Sequence, residues 1–214
     1  MRGSWVEQLI AIASPALGST DARFPQELLD RWGARAAELA ALLKQKNGLL
    51  AFESALHLFP IGPVTSGYSL EAWNSPTLWR EGYEDAAQDA LFFAEDIFGE
   101  QFCIRGARIW RFNPETGDSE ELAPTLEQWA QRLLEDYNLE TGYALAHEWQ
   151  NQYGALPLGK RLLPKIPFVA GGKYAVENLY ATDAVTGMRF RADLARQIRN
   201  LPDGTQIRFQ ITED

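Results

Sequence analysis

From Phe24 to Gln45, apolar residues recur at three- and four-residue steps. Leu28, Leu29, Trp32, Ala36, Leu39, Ala40 and Leu43 form the stripe, with Arg31, Arg35, Glu38 and Lys46 off it. That spacing predicts an amphipathic helix. Asp21 is a candidate cap, Pro25 suits a first turn, and Asn47-Gly48 supplies a stop. Leu49 to Phe59 is biased toward apolar residues and reads as extended, closed by Pro60 and Ile61-Gly62-Pro63. Ser66 to Glu81 is polar and irregular, yet it holds Tyr68, Trp73 and Trp79. Those aromatics either cover a hydrophobic surface or anchor a partner.

The middle of the chain changes rhythm. Leu91-Phe92-Phe93-Ala94 and Phe102-Cys103-Ile104 are short apolar runs split by Glu95 to Glu100, and Ala107 to Asn113 alternates loosely. Pro114-Glu115-Thr116-Gly117 is a turn sequence, and the block reads as an antiparallel meander. Helical spacing returns from Thr125 to Tyr137 (Leu126, Trp129, Leu133, Leu134) and from Gly142 to Tyr153 (Tyr143, Ala146, Trp149, Tyr153). Pro157, Pro164 and Pro167 then interrupt the chain, and Gly171-Gly172 marks a turn. Val176 to Thr182 reads as a strand, Arg189 to Asn200 as a helix on Phe190, Leu194 and Ile198, and Thr205 to Ile211 as a strand after Pro202-Asp203-Gly204. Hairpin-like joins dominate. The expected fold class is α+β, an antiparallel sheet packed with helices and carrying a C-terminal α/β elaboration.

Composition narrows the chemistry. The 214 residues suit one domain over 1–214, and 46% hydrophobic with 23% charged residues suits a packed core. A single cysteine, Cys103, excludes an internal disulfide and a four-cysteine zinc site, and its apolar neighbours predict a buried, inert thiol. His57 lies in the apolar run Ala55 to Phe59, and His147 lacks the second histidine of a helical zinc-protease motif. Neither a Gly-x-Ser-x-Gly elbow nor a phosphate-binding Gly-rich loop with its lysine occurs. The adjacent pairs Glu95-Asp96 and Glu120-Glu121 suit solvent-facing turns better than acid–base catalysis. No catalytic set, metal or cofactor is expected. The apolar patch from Leu9 to Leu17 is too short for a membrane span and too polar at its start for a signal peptide, so a cytoplasmic location is expected.

Charge adds a region of interest. The net charge is −9, and the excess is local: residues 81–140 carry four basic and fifteen acidic side chains, whereas the flanking segments are nearly balanced. Such a footprint suits a basic protein partner and opposes direct contact with nucleic acid phosphates. The candidate contact residues are Glu84, Asp85, Glu95, Asp96, Glu115, Asp118, Glu120 and Glu121.

The stretch from Phe92 to Leu134 also resembles a known family. Strand, Phe93-Ala94-Glu95-Asp96-Ile97-Phe98-Gly99 turn, two strands, Pro-Glu-Thr-Gly, then Leu-Ala-Pro-Thr-Leu-Glu-Gln-Trp opening a helix is similar to the signature of the SUKH (SMI-KNR-type) superfamily. Ala94, Gly99, Gly117, Thr125 and Trp129 carry the resemblance; residues 20–140 match best, and 141–214 form an extension. The resemblance implies a non-catalytic immunity protein that neutralises a cognate bacterial toxin, such as a nuclease or deaminase, by direct contact. A scaffold or regulatory adaptor of the same type is the alternative, and a hydrolase with an unrecognised site is the third.

Overall fold

The computed structural model describes residues 3–202 and 204–205. Its framework is a six-stranded antiparallel sheet in sequential order: β1 (Leu49–Ala51), β2 (Leu56–Leu58), β3 (Leu91–Glu95), β4 (Gln101–Arg105), β5 (Arg108–Phe112) and β6 (Ser119–Ala123). This is the expected meander within an α+β fold. Strands β3 and β4 are buried along nearly their whole length. Burial on both faces explains why their sequences are continuous apolar runs instead of alternating ones. Phe93 and Phe102 meet Trp129 edge-on, at ring-centroid distances of 5.1 and 5.6 Å. Phe92 and Phe112 instead pack against Trp79 and Tyr83.

Helices α1 (Trp5–Ile12), α2 (Gln26–Gln45) and α4 (Leu126–Glu135) share one part of the core with the sheet. The expected stripe of α2 holds at Trp32, Ala36, Leu39 and Leu43, all buried. The helix is nevertheless broken at Gly33, where φ is 52° and ψ is −129°, and its N-cap is Pro25 without a side-chain cap, so Asp21 does not serve. Thr125 caps α4 by accepting from the backbone N–H of Gln128. The extended segment of 49–59 is two three-residue strands around a tight bend, with Phe52, Glu53 and Ser54 all at positive φ. In the aromatic segment after Pro60, the short helix α3 (Leu70–Trp73) and a 3-10 stretch (Arg80–Ala87) bury Trp73 and Trp79, so these two rings are core and not anchors.

The C-terminal part packs back onto this sheet. Helices α5 (Tyr137–Thr141) and α6 (Tyr143–Tyr153) are followed by a hairpin, β7 (Lys160–Pro164) with β8 (Leu179–Asp183), and by α7 (Ala184–Ile198). A second cluster of buried residues unites Ala55, Ile97 and Phe98 of the first part with Trp149, Leu162 and Leu179 of the second. The expected strand 176–182 begins as a 3-10 turn and pairs only from Leu179. The expected helix of 189–200 starts earlier, at Ala184, because Asp183 caps it through the Thr186 N–H. Its buried face is Val185, Met188, Ala192 and Ala195, and Phe190 is exposed. The expected strand Thr205–Ile211 lies outside the described residues.

Candidate functional site

Three turns converge beside β4 and β5. In the β5–β6 turn, Asn113 Oδ1 accepts the Glu115 N–H at 2.8 Å, Asp118 N–H donates to Thr116 Oγ1 at 3.1 Å, and Gly117 takes a φ of 78°. The hydroxyl of Tyr83 fixes this turn from below by donating to the Pro114 and Met188 carbonyls, at 2.9 and 3.0 Å. In the β3–β4 turn, Asp96 Oδ1 accepts from the N–H groups of Phe98 and Glu100, at 2.9 and 2.8 Å. The third element is the loop from 165 to 178. Asn178 staples it by hydrogen bonds to Ile166 N–H and to the Ile166 and Lys173 carbonyls, and Phe168 stacks on Tyr174 at 3.9 Å. A Cβ on Gly172 would stand 1.9 Å from the Ile166 carbonyl oxygen, so this closure requires glycine.

Between these turns runs a depression with three adjoining parts, of about 430, 270 and 350 Å³, that share Thr116 as a common wall. Four carboxylates line it: Glu100, Glu115, Asp118 and Glu120. Three guanidinium groups face it, from Arg111, Arg191 and Arg199. Arg111 faces Glu100 at 3.5 Å and Glu120 at 3.8 Å. Arg111 pairs with the buried Glu140, and Arg191 donates to the Gly187 and Phe98 carbonyls. Burial pushes the Glu100 carboxyl above its ordinary pKa, against the pull of Arg111 and Arg191. Burial also raises Asp96, well above its ordinary value, and neighbouring Glu100 adds to the rise.

Of the candidate contact residues, Asp118 and Glu120 stand together at this depression. Glu84 and Asp85 are exposed on the neighbouring 3-10 stretch, where Glu84 pairs with Arg199 at 3.1 Å. Glu121 is exposed on β6 and pairs with Arg108 at 2.8 Å. Three of the eight candidates turn inward. Asp96 is consumed as a turn cap, and Glu115 is buried, with Oε2 accepting the Val169 N–H at 2.8 Å. Glu95 is 1% exposed at the end of β3, where it meets His57 Nδ1 at 3.0 Å and Arg161 Nε at 2.9 Å. Gln101 Nε2 also donates to Glu95, and Trp73 Nε1 donates to Gln101 Oε1 at 2.8 Å. Burial opposes the Glu95 charge, but Arg161 and His57 outweigh it and hold its pKa below the ordinary range. Neither Glu95 nor His57 presents a face to solvent, so the pair serves the interior. Glu100, Phe98, Phe168, Tyr174 and Arg191 were not singled out in the sequence; only the unbalanced charge of 81–140 pointed toward any of them.

His147 is exposed and pairs with Glu53 at 2.7 Å, across from α6 to the bend between β1 and β2. Among the described residues, no group of three or more His, Cys, Asp or Glu side chains is placed to hold a metal ion, and no helix is long and apolar enough to cross a membrane.

Fold and site together define an α+β protein with a sequential antiparallel meander and an acidic depression built on its turns. The chain matches no protein-family model and no curated protein. Among solved structures it is similar to Atu4351 from Agrobacterium tumefaciens, with 14% identity over 84% of this chain and 83% of that one, and a TM-score of 0.48.

Proposed function

We propose that this chain is an immunity-type binding protein that holds a basic cognate toxin domain against the acidic depression around the β5–β6 turn. The observation that carries the reading is the meeting at one depression of Glu100 from the β3–β4 turn, Glu115 and Asp118 from the β5–β6 turn, and Glu120 from β6. A surface of that sign attracts the basic groove of an enzyme that handles nucleic acid, and it speeds encounter while rejecting acidic partners. The resemblance of residues 92–134 to the SUKH signature supports the same reading.

The test is co-expression with the products of the neighbouring genes. The expected result is a product that is toxic alone, harmless with this chain, and recovered with it in a one-to-one complex. Protection should be lost with Asp118→Lys and Glu120→Lys combined, in a variant that keeps the native circular dichroism. A neighbouring product whose toxicity this chain leaves unchanged sinks the proposal.

A further inference from the structure

Within the acidic depression, the part of about 270 Å³ differs from the others in being walled by aromatic rings as well as carboxylates. Phe168 and Tyr174 are stacked with their planes 6° apart, and Phe98 meets both rings edge-on, at 5.4 and 6.0 Å. Glu100, Glu115 and Arg191 share the lining. Around the mouth the 165–178 loop exposes apolar surface, with Ile166 at 55%, Val169 at 42% and Tyr174 at 64%. A stapled loop that leaves this much apolar surface in solvent beside the buried Glu115 and the half-buried Glu100 has the composition of a contact site.

The carboxylates are under-partnered. Glu115 is 95% buried, its exposure being 5%, and among the described residues the one hydrogen bond its side chain accepts is from Val169 N–H on Oε2. The ionic neighbour of Glu100 is Arg111 Nε at 3.5 Å, which lacks hydrogen-bond geometry. The remaining cation in the wall, Arg191, has Nε on the Gly187 carbonyl, Nη1 on the Phe98 carbonyl and Nη2 on Met188 Sδ. Three of its five N–H groups are engaged in this way, and among the described residues no hydrogen bond reaches Glu115 Oε1 or either carboxylate oxygen of Glu100.

We infer that this pocket receives a single guanidinium group, the side chain of an arginine presented by the basic partner. The volume is below the range of drug-sized ligand sites, roughly 300–1,000 Å³, and suits one side chain. A guanidinium is planar, is less strongly hydrated than an ammonium, stacks on aromatic faces and can bridge two carboxylates with separate N–H groups. The source of that arginine rests on the proposed function; the pocket's preference does not.

The experiment is a titration of the isotope-labelled protein with acetyl-arginine methylamide, followed by amide resonances of Gly99, Gly117 and Gly171. Acetyl-citrulline methylamide, its uncharged isostere, and acetyl-lysine methylamide serve as controls. Saturable shifts are expected with arginine, at least about tenfold weaker binding in Glu100→Gln, where a charge-assisted contact is lost, and none with citrulline. Tyr174→Ala, at an exposed position, should weaken binding without loss of fold. Glu115→Gln can still accept from Val169 N–H and so should keep the loop closed while it weakens binding. Equal shifts with citrulline, or binding unchanged in both Glu100→Gln and Tyr174→Ala, overturns the inference. That failure would leave charge-dependent protection against a toxin intact, whereas absence of protection by the native chain, with arginine binding preserved, would overturn the proposed function alone.

Discussion

At the scale of single residues, the interior is organised by charges that do not reach water. Glu95 is held by Arg161 from β7 and His57 from β2, so one carboxylate joins the hairpin to the centre of the sheet. Removing one member strands the others. Arg161→Met should therefore destabilise the protein by about 3–5 kcal/mol in urea denaturation, the usual cost of orphaning a buried charge. His57 adds a pH dependence. Burial lowers its pKa below 6.5, more than the hydrogen bond to Glu95 raises it, so the unfolded chain binds the proton more readily than the folded one. Its contribution is then present above pH 6.5 and lost as pH falls below that value. The stability gap between the native protein and His57→Asn should accordingly narrow between pH 7 and 5; a gap that widens would contradict a neutral buried ring. Cys103, whose thiol burial pushes up to about 12, should resist a disulfide reagent until the protein unfolds. The burial of Cys103 was legible from its apolar neighbours. The burial of Glu95 was not, because its cationic partner stands 66 positions along the chain, in a strand that no local pattern announced.

At the scale of elements, legibility followed the range of the contacts. Helix α4 and the β3–β6 meander were readable because stripe, cap and turn residues lie within a few positions of one another. The hairpin of β7 and β8 was only half readable. Lys160 to Pro164 is bounded by prolines, and its register (Lys160 opposite Asp183, Pro164 opposite Leu179) is set across a long loop. The interruption of α2 at Gly33 was equally hidden, since the apolar stripe continues on both sides. Gly142 shows how one backbone position fixes two elements. At φ 69° it ends α5 and begins α6, and a Cβ there would fall 2.4 Å from Phe98 and 2.7 Å from Ile97. Gly142→Ala combines a left-handed conformation, about 1–2 kcal/mol, with overpacking, about 1–3 kcal/mol. A loss of roughly 2–5 kcal/mol in thermal or chemical unfolding is expected. Because Phe98 forms part of the aromatic pocket wall, the same substitution should also perturb the resonances of Phe168 and Tyr174.

At the scale of the whole molecule, the acidic excess of residues 81–140 is a property of the surface only in part. Folding withdraws Glu95, Asp96, Glu115 and Glu140 to the interior, and it balances Glu84 and Glu121 against Arg199 and Arg108. Asp118 and Glu120 stay exposed at the β5–β6 turn, with Glu120 facing Arg111 only at 3.8 Å, while Glu81, Asp85, Glu135 and Asp136 stay exposed elsewhere. Linear charge counting could not tell which carboxylates are structural, because that depends on donors supplied from the 165–178 loop and β7. The distinction has a kinetic consequence. Steering acts through exposed charge and raises association rates by roughly 10–1,000-fold at low salt, whereas buried pairs contribute little to the outer field. Asp118→Lys with Glu120→Lys should therefore slow association with the proposed basic partner at least about tenfold at low ionic strength and flatten its salt dependence, as read by stopped-flow. Asp85→Lys, on the neighbouring 3-10 stretch, should have a smaller effect. If the double substitution leaves the rate unchanged across salt concentrations while Asp85→Lys slows it, the partner approaches from the 3-10 stretch, and the depression is not the docking face.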